Sequence, residues 1–142
     1  MNKFKNRSGF TLLEIIIVII IVGVLASLSL PRFFSTVEFS RSTEALASIG
    51  ALRQSIERCY LQNAGNYAAC VNFSSLDLED PQNSPNSHFV YTITAVQASS
   101  AYTIKATRRS DRDGGSINSI IYVTQTTDSV TRSGASAFQG IK

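Results

Sequence analysis

The sequence predicts an α+β chain: a long N-terminal α-helix, its first half transmembrane, packed on a small antiparallel β-sheet. Three observations carry the prediction. An apolar run fills Phe10–Leu30, apolar residues then recur at helical spacing to about residue 64, and beyond residue 87 the period falls to two. The segments that follow are a basic head at 1–9, a membrane helix at 10–31, an amphipathic second half at 32–65, and a loop plus sheet at 66–142.

From Ile15 to Ala26 there is no polar side chain, and Phe10–Leu30 is interrupted only by Thr11, Glu14, Gly23, Ser27 and Ser29. About 20 such residues span a hydrocarbon core as a helix. Lys3, Lys5 and Arg7 precede the run, which keeps the head cytoplasmic and the remainder of the chain on the far side. Gly23 and Pro31 bracket the second half of the span. An interior proline removes a backbone donor and crowds the preceding turn, so a kink is expected at Pro31.

The helical pattern resumes through Ala45, Ile49, Leu52, Ile56 and Cys59/Tyr60, with Arg41, Glu44, Arg53, Glu57 and Arg58 between. Gly65 after Asn63-Ala64 supplies a stop. An unbroken helix from Phe10 to Ala64 would run roughly 80 Å at 1.5 Å per residue. That suits a shaft that crosses a membrane and joins a bundle. Residues 66–87 are loop, dense in turn formers at Asp80-Pro81 and Asn83–Ser87. Three alternating runs, Phe89–Val96, Tyr102–Thr107 and Ile120–Gln125, then predict an antiparallel meander. The Ser-, Thr-, Gly- and Ala-rich tail from Asp128 reads as an irregular strand or a loose end.

Glu14 stands at the edge of the membrane run, where a charge costs about 2.5–3.5 kcal/mol and asks for a partner. Lys5-Asn6-Arg7-Ser8-Gly9-Phe10-Thr11-Leu12-Leu13-Glu14 resembles the prepilin peptidase site of type IV pilins and the related type II secretion pseudopilins. Tyr60–Asn63 through Asn66-Tyr67 is similar to the segment that follows the long helix in many of them. The resemblance implies removal of Met1–Gly9 by cleavage between Gly9 and Phe10, and N-methylation of Phe10. It implies assembly through Phe10–Leu30, with Glu14 meeting the cationic amine of a neighbouring chain as a register device. It also implies that Gly23–Pro31 can lose helical bonding and extend in a filament.

Other readings of the N-terminus explain less. A secretory signal peptide cut near Val24-Leu25-Ala26, or a plain single-span anchor, accounts for the basic head and apolar run but not for Glu14 or Gly9-Phe10. Beyond the span, roughly 110 residues suffice for one modest core. The net charge of +3 vanishes without Lys3, Lys5 and Arg7, leaving ten basic and ten acidic side chains, so charge alone indicates no nucleic-acid binder. Cys59 and Cys70, on an exported domain, read as a structural disulfide, with free thiols the alternative and a metal site lacking further ligands.

Enzymatic chemistry finds no constellation. His88, the sole histidine, has a surface or capping role, and no catalytic residue or cofactor is expected. Asp111 and Asp113 make a weak calcium candidate, because Arg112 opposes it and the rest of an oxygen-ligand loop is missing, so an ordinary turn is preferred. Lys105, Arg108, Arg109 and Arg112 form a basic stretch. DNA contact through Arg108, Arg109 and Arg112 is the lesser reading, since Asp111 and Asp113 interrupt it and no aromatic is interleaved.

The reading that follows is a structural subunit of a type IV pilus, a homo-oligomeric helical filament. The alternatives are a secretion pseudopilin and a DNA-uptake or adhesin minor pilin. Prepilin peptidase, an assembly ATPase and a platform protein are partners by resemblance. The subunit would wait in the inner membrane with its C-terminal domain periplasmic, then enter an extracellular filament.

Overall fold

A computed structural model describes residues 10–96 and 100–141. The leader expected at 1–9, including Gly9, lies outside them. One helix, α1, runs Leu12–Gln62 and stays helical through Pro31. The chain divides into two compact units, the first ending at Thr36 and the second beginning at Val37.

In the first unit the helix start is a capping box, in which residue N-cap and residue N3 bond each other's backbone. The Thr11 hydroxyl accepts from the Glu14 N–H at 3.2 Å, and a Glu14 carboxylate oxygen accepts from the Thr11 N–H at 3.5 Å. No side chain from Phe10 to Thr36 is buried within the subunit, so its apolar surface is left for lipid or protein to cover.

In the second unit, α1 buries Ala45, Ile49, Leu52, Ile56 and Cys59, the stripe that the spacing predicts. The helix stops where Ala64 and Gly65 take positive φ (52° and 82°) and the Gly65 N–H bonds back to Tyr60 O at 3.0 Å. Cys59 and Cys70 form a disulfide across 11 residues. It ties the short 3₁₀ turn Tyr67–Cys70 to the helix end. In the chain-entropy model such a link contributes about 3 kcal/mol. The double variant Cys59→Ser/Cys70→Ser should show a stability loss of about that size in urea unfolding.

The sheet is a four-stranded antiparallel meander: β1 (Phe89–Val96), β2 (Ala101–Arg108), β3 (Ile120–Gln125) and β4 (Val130–Ala135), in that order. Registers Tyr91↔Ala106, Ala106↔Ile121 and Ile104↔Val123 put Tyr91, Ile104, Ala106, Ile121 and Val123 on one face. There they join the helix stripe in a single core.

Of the two expectations for the tail, the strand holds and the loose end does not. β4 pairs with β3 over six residues, and the chain then turns through Ser136–Phe138 to bury Phe138 and Ile141. Its composition concealed it because β4 is mostly exposed and carries no apolar alternation. Gly134 permits the turn: a Cβ there would lie 1.8 Å from Phe138 O. Gly134→Ala should therefore cost about 1–3 kcal/mol as overpacking, read as a lowered urea midpoint at unchanged m-value.

Candidate functional site

Two regions carry candidate function, one in each unit. The first is the N-terminal stretch of α1. Phe10 is exposed, as are Leu12, Leu13 and the Ile/Val run to Leu30. α1 is long and apolar enough to cross a membrane. Glu14 is also exposed, and within the subunit its carboxylate meets the Thr11 N–H. The expected partner of Glu14 is a neighbour's amine, whereas this contact lies inside the subunit. The Thr11-Leu12-Leu13-Glu14 spacing is itself the capping-box signal that would have revealed the internal one. A Cβ at Gly23 would meet nothing within 4 Å, so packing inside the subunit does not require glycine there.

The second region is a chain of charges where the start of the second unit meets β1, β2 and the 109–119 loop. Arg108 follows Tyr102, Ile104 and Ala106 in the inward series of β2 and is fully buried. Its guanidinium grips Glu38 with two hydrogen bonds, Nε at 3.0 Å and Nη2 at 3.1 Å, and Nη1 donates to His88 O at 3.2 Å. It also lies 6.0 Å from the Phe89 ring centroid. Gly115 closes over it, since a Cβ there would stand 2.9 Å from Arg108 Cζ and 2.1 Å from Arg109 O. This corrects the DNA expectation for Arg108: its charge is spent inside the fold and does not face solvent.

The chain of charges continues outward. Glu38 also meets Arg41 at 3.4 Å, and Arg41 meets Asp113 at 3.1 Å. Asp113 contacts His88 Nε2 at 3.1 Å, and Glu44 contacts His88 Nδ1 at 2.8 Å while accepting from the His88 backbone N–H at 3.0 Å. His88 therefore bridges two carboxylates rather than capping a strand alone. The hydrogen bond from His88, with the Arg41 charge, holds the Asp113 carboxyl below its usual range.

The remaining sequence candidates are drawn into local pairs. Arg109 Nε and Nη2 donate to Asp111 at 3.2 and 3.3 Å, which lowers the Asp111 carboxyl. Arg112 Nη1 donates to Pro85 O at 2.7 Å. Asp111 and Asp113 thus turn to cations of the protein itself, and the turn preferred over a calcium loop has Asp113 and Gly114 at positive φ.

Opposite the charge chain, Glu57 accepts the Tyr67 hydroxyl at 3.1 and 3.2 Å and the Tyr102 hydroxyl at 3.2 Å. Burial and the Glu57 charge push the Tyr67 hydroxyl up to about 12 and move Tyr102 the same way, so both remain donors. Asp77 pins the 73–78 segment to α1, accepting from Arg58 Nε at 2.5 Å and Nη2 at 2.9 Å and from the Ser55 hydroxyl. These bonds, Arg58 first and Ser55 next, lower its carboxyl to about 2.

A carboxyl lowered on folding stabilises above its unfolded value, near 3.9, and that stabilisation is lost as pH falls through the folded value. Asp77→Asn should therefore flatten the stability loss between about pH 4 and 2 seen in the unsubstituted chain. Thermal unfolding across that range measures it. The pair is half exposed, so added salt should shrink the difference.

Residues 31–117 match the family described as type IV minor pilin ComP, DNA uptake sequence receptor. Residues 4–30 match the prokaryotic N-terminal methylation motif. The chain is similar to the type IV major fimbrial protein FimA of Dichelobacter nodosus, 28% identical over 81 residues, which are 57% of this chain and 51% of that protein. It is 40% identical over 63 residues to the type II secretion system core protein G of Escherichia coli (strain K12), covering 44% of this chain and 43% of that one. A probable minor fimbrial protein of Dichelobacter nodosus is 44% identical over 55 residues, 39% of this chain and 35% of that one. The chain spans about half the length, or less, of these curated relatives. No solved structure gives a significant match.

Proposed function

The chain belongs to the type IV minor pilin family of ComP, the DNA uptake sequence receptor, and from that premise we propose that it is a DNA-binding subunit of a type IV filament. Phe10–Leu30 holds it in the inner membrane before assembly. Cleavage between Gly9 and Phe10, and methylation of Phe10, prepare the new N-terminus. The exposed apolar helix then passes from lipid to a bundle of like helices, with Glu14 against a neighbour's amine and Gly23–Pro31 free to extend. Peptidase, assembly ATPase and platform protein act on it in turn.

The observation that carries the DNA-binding reading is the extent of the family match. It begins at Pro31 and runs through β1 and β2 to residue 117, so it rests mostly on the second unit up to the loop before β3 and not on the shared N-terminal motif. With Arg108 committed to Glu38, DNA contact falls to exposed or half-exposed cations such as Arg109 and Arg112.

The test is retention of duplex DNA by the full chain in non-ionic detergent, titrated with salt. Each phosphate neutralised contributes about −0.9 to the log–log slope. A slope steeper than about −2 supports the reading, and no retention at about 50 mM salt refutes it. A second reading has its own support in the 40% identity to core protein G: a subunit of a secretion pseudopilus. Deleting the chain separates the two, since one predicts lost DNA uptake and the other lost export of a secreted protein.

A further inference from the structure

We infer that Arg53 of α1 and Arg132 of β4 form a binding recess for a single phosphate group, filled by the backbone of bound DNA. Leu46, Ile49, Gly50, Arg53, Val123 and Arg132 line a recess of about 60 Å³ between α1 and the β3–β4 edge. It is far too small for a drug-sized ligand, whose sites run to about 300–1,000 Å³. Among the described residues its charged walls are two guanidiniums, the side chain whose fork matches phosphate oxygens.

Carboxylates already occupy most of the arginines of the second unit. Arg41, Arg58, Arg108 and Arg109 each meet a carboxylate. Arg53, Arg112 and Arg132 meet none among the described residues of that unit, and Arg112 is bound to Pro85 O, which leaves the two that line the recess. Glu57 stands one helical turn beyond Arg53 but accepts from Tyr67 and Tyr102 instead.

Arg53 Nη2 donates to Gln125 Oε1 at 2.8 Å, its guanidinium also stands against the Tyr102 hydroxyl, and its Nε is buried without a hydrogen-bond partner. A buried donor left unpaired is costly, so a ligand that supplies acceptors gains from it. Arg132 is exposed on β4, paired in register with Val123, and so lies at the mouth. Gly50 is part of the lining, and a Cβ there would meet nothing within 4 Å, so a larger side chain can be placed on that wall without a clash. In the sequence Arg53 reads only as a polar position of the amphipathic helix, and neither arginine stands in the basic stretch at 105–112.

That the phosphate belongs to DNA rests on the function proposed above; inorganic phosphate shares the chemistry. The experiment therefore has two arms on the full chain in non-ionic detergent. In the first, duplex DNA retention is titrated with salt for the unsubstituted chain, Arg132→Gln and Gly50→Leu. Arg132→Gln should make the log–log slope shallower by about 1. Gly50→Leu leaves every charge in place and fills the recess, so a matching change marks the site rather than net charge. In the second arm, thermal unfolding is compared in phosphate and chloride at equal ionic strength.

If the chain binds DNA but both variants keep its slope, the recess is overturned and DNA binding stands. If it binds no DNA, yet phosphate raises the unfolding temperature of the unsubstituted chain and of neither variant, the phosphate site stands and its assignment to DNA falls. If neither DNA nor phosphate has an effect, both fall.

Discussion

Arg108→Ala should destabilise the second unit by about 3–5 kcal/mol, the cost of removing one member of a buried ion pair. Glu38 would keep its charge and lose both short bonds from the guanidinium, retaining only the longer Arg41 contact. The His88 carbonyl would lose the Arg108 donor, and a void would open under Gly115. A loss of that size is a large part of the roughly 5–15 kcal/mol that holds a domain together. Arg108→Lys should recover little of it, because an ammonium cannot make the two-pronged contact. The double variant Arg108→Met/Glu38→Leu should approach the unsubstituted stability or exceed it, since no charge is then left without water. Urea unfolding of the four proteins checks this. Equal stability of Arg108→Ala and the unsubstituted chain would mean that the pair carries no weight.

Glu14→Val should abolish filament incorporation while leaving leader removal intact. The substitution alone does not identify the cause, because Glu14 also closes the capping box with Thr11, and an N-terminal cap is worth about 0.5–2 kcal/mol to a helix. Glu14→Gln separates the two roles. Glutamine can complete a capping box as glutamate does, but it carries no charge for a neighbour's amine. If the charge is the register device, Glu14→Gln should fail in sheared filaments as Glu14→Val does, because the amine loses its counter-charge in a low-dielectric core at about 3–5 kcal/mol per subunit. If Glu14→Gln assembles normally and Glu14→Val does not, the residue serves the helix end and the inter-subunit role falls.

Much of the fold could be read ahead of the structure because burial imposes a period. The stripe Ala45-Ile49-Leu52-Ile56-Cys59 and the alternation in β1 to β3 are the local marks of faces turned inward. β4 left no such mark, because an edge strand held by backbone bonds to β3 needs no apolar face of its own. Arg108 shows the opposite failure. Its place two residues beyond Ala106 puts it on the inward face, while its charge groups it along the chain with Lys105, Arg109 and Arg112 in one basic stretch.

From the chain alone came the apolar span, the basic head, Gly9-Phe10 and Glu14, and the change from helical to strand period, all encoded in neighbours along the backbone. The fold had to choose the charge partners. Glu38 finds Arg108 across 70 residues, His88 joins Glu44 to Asp113, and Arg53 and Arg132 come to share one recess. Pairing of that kind follows from which surfaces pack, and a guanidinium in water or against a carboxylate is written with the same letter.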